Sequence, residues 1–214
     1  MLIVGYGDSI TAGVFLEEEE TYLFHLGSRY GCDTVNAGVP GQTSSKAMER
    51  LQAVLELQAD ICIVEFGMND HVAASSNMPK VTIPAFKQNL QTICKQLIQK
   101  GVKPVLCTIH PIIEGDASHY YYARHPQEWY AEPLGAQAWI ERYNEGIREA
   151  AHECQIPVAD ITRTWNRYLK AGGRLQDLLI TLDNSDRDDG VHPNADGHKR
   201  YAECISEQID LLLK

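Results

Sequence analysis

The chain has 214 residues, a hydrophobic content of 44% and a formal net charge of −10 at pH 7. This length predicts a single domain over residues 1–214 with enough interior for a sizeable core, and the negative charge argues against a nucleic-acid partner. No apolar stretch approaches the length needed to cross a bilayer, and Met1 leads into a predicted strand without the basic region of a signal peptide.

The predicted elements alternate between strand and helix, as in a three-layer α/β/α sandwich with about five parallel strands. In chain order they are a strand at 2–4, a helix at 22–30, a strand at 33–37, a helix from 43 or 44 to 55, a strand at 61–66, a helix from 84 to about 100, a strand at 104–109, a helix at 139–154, a short strand at 158–161, weaker helices at 164–171 and 174–179, and a final helix from 193. The acidic run 17–20 and the segment 183–190 are predicted to be solvated loops. The stretch from 110 to about 135 is irregular, and loops of that length are usually functional.

The six cysteines are widely scattered and form no Cys-x-x-Cys pair. Buried reduced thiols explain them better than a disulfide framework or a zinc site. We therefore expect a cytoplasmic protein. The residues concerned are Cys32, Cys62, Cys94, Cys107, Cys154 and Cys204.

Gly7-Asp8-Ser9-Ile10 follows the first predicted strand and forms a tight turn. The turn places Ser9 at the carboxyl end of that strand, where open α/β sheets hold their ligands. An isolated Gly-Asp-Ser is more often a β-turn whose polar side chains cap the next segment. Other stretches of the chain favour the functional interpretation.

Asp189-Gly190-Val191-His192-Pro193 is the second stretch that carries chemistry. A carboxylate three residues before a histidine is able to accept from the ring Nδ1–H and leave Nε2 free to take a proton, as in a Ser-His-Asp triad. The pattern alone does not distinguish this arrangement from a surface histidine paired with a carboxylate.

Gly38 and Asn69 each lie just past a predicted strand, so they are expected at the same sheet edge as Ser9. Acyl transfer needs donors aimed at a developing oxyanion, and the backbone N–H groups of Ser9 and Gly38 together with the Asn69 amide would supply them. Taken alone, Gly38 also fits an ordinary turn glycine, and Asn69 also fits an Asx-turn.

These stretches together resemble the four sequence blocks of the GDSL family of SGNH hydrolases. The matches are Gly7-Asp8-Ser9-Ile10, with Ile for the usual Leu, Gly38, Gly67-Met68-Asn69-Asp70 and Asp189-Gly190-Val191-His192-Pro193. The resemblance covers essentially the whole chain and implies the flavodoxin-like SGNH hydrolase fold.

The resemblance also implies Ser9 as nucleophile, His192 as base and then acid, and Asp189 as its orienter. Ser9, Gly38 and Asn69 would form the oxyanion hole, with no metal and no cofactor. Asp8, Asp70 and Val191 are predicted to bind substrate.

Other site types fit the sequence poorly. Gly5-Tyr6-Gly7 lacks the third glycine of a dinucleotide fingerprint, and Thr11 stands where an α/β-hydrolase elbow has its second glycine. The spacing of His110, Asp116, His119 and His125 matches no standard metal site. Asp183, Asp186 and Asp188 do not fit a calcium loop.

The predicted activity is cleavage of small or short-acyl carboxylic esters, such as acetylated carbohydrates. A thioesterase, a lysophospholipase-type acylhydrolase or an acyltransferase would use the same residues, and a binding module that lost its chemistry is the remote alternative. The aromatic residues of the 110–135 loop either stack on a sugar or acyl chain or pack the loop against the body. They are Tyr120, Tyr121, Tyr122, Trp129 and Tyr130. Oligomeric state is not predicted.

Overall fold

The computed structural model describes residues 1–132 and 134–214. The strands are β1 Leu2–Gly7, β2 Asp33–Gly38, β3 Ile61–Glu65, β4 Ala73–Ser75, β5 Met78–Pro79, β6 Lys103–Cys107 and β7 Val158–Ala159. The α-helices are α1 Ser9–Ala12, α2 Tyr22–Tyr30, α3 Ser44–Ala47, α4 Leu51–Leu55, α5 Ile83–Gln99, α6 Tyr121–Arg124, α7 Ala136–Cys154, α8 Ile161–Lys170, α9 Leu182–Ser185 and α10 Ala195–Leu212.

Five strands form a parallel sheet in the order β2-β1-β3-β6-β7. Every residue of β3 is buried, as expected for a parallel strand covered on both faces. Helix α5 packs against α7, and α10 packs against α2 and α8, so helices flank the sheet. The chain reverses its direction of progress across the sheet between β1 and β3, and ligands bind at such switch points in open α/β folds. The predicted α/β sandwich is confirmed.

Several helix ends follow from the capping residues seen in the sequence. The Thr21 side chain accepts a hydrogen bond from the backbone N–H of Phe24 at the start of α2, and Gly31 ends that helix in the left-handed conformation. The last helix begins at Ala195 and not at Pro193, because the Asn194 side chain caps it by accepting from the N–H of Gly197.

The helix predicted over 43–55 is broken into α3, a 3₁₀ turn at Met48–Arg50 and α4. The break coincides with Arg50, whose guanidinium donates hydrogen bonds to the carbonyl oxygens of Ala37 (2.5 Å) and Gly7 (2.9 Å). These contacts bind the helical segment to the ends of β1 and β2.

Other weak patterns also differ from the prediction. The segment 174–179 contains only a 3₁₀ turn at Leu175–Asp177, and the acidic run contains an exposed 3₁₀ turn at Glu18–Glu20. The β4–β5 hairpin and the helix α9 were not predicted. Part of the 110–135 stretch forms α6 and a 3₁₀ turn at Gln127–Trp129, and Pro133 of that stretch lies outside the described residues.

The stretch 110–135, here called the aromatic loop, packs against the body of the protein through a buried hydrogen-bond network. Tyr121 and Tyr130 are 2% and 0% exposed, and their hydroxyls lie 2.9 Å apart. The Tyr121 hydroxyl also lies 3.0 Å from Nε2 of His71, and the Tyr130 hydroxyl accepts from the N–H of Ala73. These two tyrosines therefore serve mainly to fix the loop that borders the β1 and β3 ends.

All six cysteines are free thiols, four of them buried. Among residues 1–132 and 134–214, no helix has the length and apolar character of a membrane span.

Candidate active site

Ser9 is the first residue of α1, directly after the end of β1. The Asp8 side chain caps this helix by accepting from the N–H of Ile10 at 2.9 Å. A Cβ atom on Gly7 would lie 2.0 Å from the Thr11 hydroxyl oxygen and 2.7 Å from the carbonyl oxygen of Glu65. Only glycine allows the strand to turn this tightly beside β3, and the turn brings Ser9 to the sheet edge.

The loop before α10 carries Asp189 and His192. One carboxylate oxygen of Asp189 accepts from the backbone N–H groups of Val191 (2.8 Å) and His192 (2.5 Å). The loop is held in place by the N–H of Ile180, which donates to the carbonyl of His192, and by the N–H of Gly190, which donates to the carbonyl of Ile180. These hydrogen bonds fix both catalytic candidates before any substrate arrives.

Ser9, His192 and Asp189 lie in contact although Ser9 and His192 are 183 positions apart in the chain. The Ser9 Oγ atom is 2.9 Å from His192 Nε2, and His192 Nδ1 is 2.8 Å from Asp189 Oδ2. Burial alone would raise the pKa of Asp189, but the hydrogen bond and charge of the His192 ring, with the two backbone N–H donors, hold that pKa below its ordinary value. The carboxylate is therefore ionised and the ring is oriented with Nδ1–H toward it.

A model of the GDSL-like Lipase/Acylhydrolase family matches residues 6–200. The chain belongs to this family. Because the family is one of lipases and acylhydrolases, this GDSL-family protein is an enzyme of the carboxylic ester hydrolase class.

Relatives of known name or structure cover nearly the whole GDSL-family chain. The Bacillus subtilis (strain 168) protein named "Uncharacterized lipoprotein YqeF" is 28% identical over 216 residues, which is 96% of this chain and 88% of that protein.

Three crystal structures are similar in fold. TesA has a TM-score of 0.69 at 20% identity, covering 99% of both chains. The lipase/acylhydrolase from Enterococcus faecalis has a TM-score of 0.71 at 22% identity, and the match covers 97% of this chain and 94% of that one. The acetyl xylan esterase AlAXEase has a TM-score of 0.71 at 23% identity, and the match covers 97% of this chain and 98% of that one.

The three predicted oxyanion donors differ in whether their N–H groups already have a hydrogen-bond acceptor. The Ser9 N–H belongs to the first turn of a helix, whose N–H groups lack helical partners. The Asn69 amide, just after β3, donates to Asp8 Oδ2 at 2.8 Å and has a second N–H. The Gly38 N–H donates to the side-chain oxygen of Asn36 at 2.9 Å. In this GDSL-family structure, Gly38 is therefore already paired through Asn36, a residue that the sequence reasoning missed.

The predicted substrate contacts of Asp8 and Asp70 do not fit their surroundings, because both side chains are fully buried. Asp70 accepts from the backbone N–H and the hydroxyl of Ser44, and burial raises the pKa of Asp70 to about 6. Asp8 and Asp70 therefore lie in the interior beneath the site, where they hold Asn69 and Ser44 in place. Val191 does line the cleft beside Ser9.

The cleft at Ser9 has a volume of about 260 Å³, and one side of it is built by the aromatic loop. Met68 and Val72 provide apolar wall, and Tyr121, Arg124 and His125 come from α6 and the residue after it. Arg124 donates to the carbonyl oxygens of Asp188 and Asp189 at 3.0 and 2.6 Å. The sequence marked this loop as functional but contained no pattern that singled out Arg124.

Phe15 contacts the ring of His192. Its ring meets the His192 ring edge-on with the centroids 5.4 Å apart, and the Arg187 guanidinium lies 4.3 Å from the centre of the Phe15 ring. Phe15 has φ = +73°, a conformation that costs a non-glycine residue energy and is found most often at functional sites. No sequence pattern predicted this residue.

His110 supports, from the protein interior, the loop that carries Asp189 and His192. Its ring is fully buried, its Nε2 lies 2.7 Å from the carbonyl oxygen of Val191, and its Nδ1 lies 2.6 Å from the Tyr201 hydroxyl. Because burial lowers the pKa of His110 to about 4, the ring is neutral, with Nε2–H donating to Val191 and Nδ1 accepting from Tyr201. From the sequence, His110 stood out only as a candidate metal ligand, whereas its contacts here are structural.

Replacing His198 with glutamine is expected to change how stability depends on pH. Burial lowers the folded-state pKa of His198 from 6.5 to about 3, so in acid the unfolded chain binds a proton that the folded chain does not. The contribution of His198 to stability is therefore present above about pH 6.5 and is lost as pH falls. As pH falls from about 6 to about 4, the unfolding free energy of the variant should rise relative to that of the wild type by about 1.4 kcal/mol for each pH unit.

Urea denaturation at several pH values measures this difference. Comparison with the wild type is essential, because burial raises the pKa of Glu65 to about 7 and that of Asp70 to about 6, and these carboxyls shift stability in the opposite direction. Parallel curves for His198→Gln and the wild type would contradict the prediction.

Proposed function

We propose that this GDSL-family protein hydrolyses carboxylic esters through a Ser9-His192-Asp189 triad and an acyl-enzyme. The observation that carries the proposal is the 2.9 Å contact between Ser9 Oγ and His192 Nε2. With Nδ1–H donated to Asp189, Nε2 has a free lone pair and accepts the Ser9 proton as Oγ attacks the acyl carbon. His192 then gives that proton to the leaving alcohol, and water activated in the same way releases the acid.

The tetrahedral oxyanion would receive hydrogen bonds from the Ser9 N–H and from the second N–H of the Asn69 amide. The 2.8 Å bond from Asn69 to Asp8 supports this role, because it fixes which end of the amide faces Ser9. Gly38 would act as the third donor if its N–H were shared between Asn36 and the oxyanion.

Replacing Asn69 with alanine is expected to lower kcat by about 10²- to 10³-fold with little change in KM. The amide binds charge that exists only in the transition state, so its loss slows the chemistry more than it weakens substrate binding. Steady-state kinetics on a p-nitrophenyl ester measures the effect. Asn166, exposed on α8, offers the matched control Asn166→Ala, and an Asn69 variant as active as that control would exclude the proposed donor.

We propose small or short-acyl esters as the substrate class, with acetylated carbohydrates as the main candidate. The cleft volume of about 260 Å³ suits a short acyl group, and its lining mixes apolar Met68 and Val72 with polar Arg124 and His125. The similar structure named acetyl xylan esterase AlAXEase agrees with this choice.

A panel of acetyl, butyryl and longer esters, free and on sugars, tests the substrate class. We expect kcat/KM to be highest for acetyl esters. A maximum on long-chain esters or thioesters would favour a lysophospholipase-type or thioesterase activity, and ester exchange to an added alcohol would favour acyl transfer.

We further propose that residues 1–214 form one catalytically active domain without a cofactor. Labelling of Ser9 by a fluorophosphonate distinguishes this from a binding module, whose serine would stay unmodified. The six free thiols support a cytoplasmic location, whereas the relative YqeF is named a lipoprotein. Cell fractionation with an antibody to the chain decides between the two locations.

A further inference from the structure

Phe15 is a large apolar side chain that the fold holds at the surface beside His192. The residue is 46% exposed, and its ring lies edge-on to the His192 ring with the centroids 5.4 Å apart. Its backbone has φ = +73°, which costs a non-glycine residue energy. A ring this exposed gains only part of the free energy that full burial would give, so packing alone explains its position poorly.

The backbone on both sides of Phe15 is fixed relative to Ser9. The N–H of Val14 donates to the carbonyl oxygen of Ser9 at 3.1 Å. The N–H of Leu16 donates to the carbonyl oxygen of Gly13 at 3.0 Å. The Phe15 ring is therefore placed by the same segment of the chain that carries Ser9.

Arg187 lies over the Phe15 ring. Its guanidinium is 4.3 Å from the centre of that ring, a distance at which a cation is attracted to an aromatic ring. Arg187 stands between two aspartates in the sequence, yet within residues 1–132 and 134–214 its side chain forms no ion pair or hydrogen bond with another residue. Its N–H donors are therefore free to bind a ligand.

We propose that Phe15 and Arg187 bind the alcohol part of the ester and that this alcohol is a neutral sugar. The proposal rests on the proposed function, because His192 must give its proton to the leaving alcohol oxygen, which brings that oxygen within hydrogen-bond reach of Nε2. Phe15 contacts the same ring, so an alcohol with several carbon atoms reaches Phe15 from there. The cleft lined by Met68 and Val72 is left for the acyl group.

A sugar matches both parts of this surface. The Phe15 ring offers apolar contact to the C–H groups of a pyranose, and the Arg187 guanidinium donates hydrogen bonds to its hydroxyl oxygens. A hydrocarbon alcohol would cover the guanidinium without giving its donors an acceptor, which costs free energy. An anionic alcohol is disfavoured, because the acidic run 17–20 follows Phe15 and aspartates flank Arg187.

The test measures kcat/KM for three acetyl esters: ethyl acetate, cyclohexyl acetate and a mono-O-acetylated pyranose. All three form the same acyl-enzyme, so kcat/KM reports on the step in which the alcohol is still bound. Comparing each variant with the wild type cancels the intrinsic reactivity of the esters. Phe15→Ala should lower the ratio of kcat/KM for the sugar ester to that for ethyl acetate about tenfold. It should also lower the ratio for cyclohexyl acetate, whereas Phe15→Tyr keeps the ring and should restore both ratios.

A second variant separates the sugar hydroxyls from the carbon ring. Arg187→Met removes the N–H donors and keeps a side chain that is able to pack on Phe15. It should lower the ratio for the sugar ester about tenfold, because hydrogen bonds from a charged donor are lost. The ratio of cyclohexyl acetate to ethyl acetate should not change, since cyclohexanol has no further hydroxyl for Arg187 to bind.

Two control variants change the same kinds of side chain where they contact rings other than that of His192. Phe24 is 41% exposed on α2 and contacts the ring of its neighbour His25. Arg200 on α10 lies 4.1 Å from the centre of the Tyr168 ring. Phe24→Ala and Arg200→Met should leave kcat/KM for all three esters unchanged.

The proposal is overturned if Phe15→Ala leaves the ratios unchanged, even when activity falls equally on all three esters, because Phe15 then acts only on His192. A change in the preference between acetyl and butyryl esters of one alcohol, with the alcohol ratios unchanged, also overturns it, because the ring then contacts the acyl group. An equal effect of Arg187→Met on the sugar and cyclohexyl esters excludes the sugar. Failure of the proposed function is a separate result: the wild type would hydrolyse none of the esters, and Ser9 would not label with a fluorophosphonate.

Discussion

Replacing Ser9 with alanine is expected to lower kcat for a p-nitrophenyl ester by at least about 10⁴-fold. Ser9 Oγ is the atom in contact with the His192 ring, and alanine removes the atom that forms the acyl-enzyme. The remaining site keeps its oxyanion donors and its base, so a small residual rate above the uncatalysed reaction is expected. Steady-state kinetics on the purified variant measures the loss.

Ser28, exposed on α2, provides the matched control for this experiment. Ser28→Ala makes the same chemical change away from the cleft and should retain full activity and full fluorophosphonate labelling. Turnover by Ser9→Ala equal to that of the control would exclude Ser9 as nucleophile.

Replacing Asp189 with asparagine is expected to lower kcat by about 10⁴-fold, the size of effect seen when the acid of a serine-protease triad is changed in this way. Asp189 accepts three hydrogen bonds, from the N–H groups of Val191 and His192 and from the His192 ring. Asparagine has one acceptor oxygen for these donors, and turning its NH₂ toward Nδ1 forces the ring proton onto Nε2. His192 would then face Ser9 with a donor and would be unable to take its proton.

Asp186→Asn is the control, because Asp186 is exposed in the same segment and has φ = +56°, a conformation that asparagine tolerates well. It should leave kcat unchanged. Similar activity in Asp189→Asn and the control would remove Asp189 from the mechanism.

The sequence predicted the sheet well because its strands are buried on both faces and therefore nearly continuous in apolar residues. The run 61–66 predicted β3, observed at Ile61–Glu65. Ser9 and Asn69 were placed together correctly by one argument, that the carboxyl ends of parallel strands share an edge.

The remaining features depend on long-range contacts that leave no local pattern. The helix break near Arg50 coincides with hydrogen bonds from Arg50 to carbonyls at the ends of β1 and β2. Phe15 reaches His192 across most of the chain length, and His110 supports Val191 from 81 positions away. None of these partners is visible in a window of sequence, so their roles require the assembled structure.

The 183-residue separation between Ser9 and His192 has a consequence for biosynthesis. A nascent chain translated only as far as α8 already contains Ser9 and all five strands of the sheet, yet it lacks His192 and Asp189, the proposed base and its carboxylate. If the proposed triad carries the activity, we expect esterolysis to begin only when the segment before α10 has been made and has docked. The onset of activity during translation or refolding thus reports completion of the whole molecule, and partly synthesised chains are chemically silent toward the esters around them.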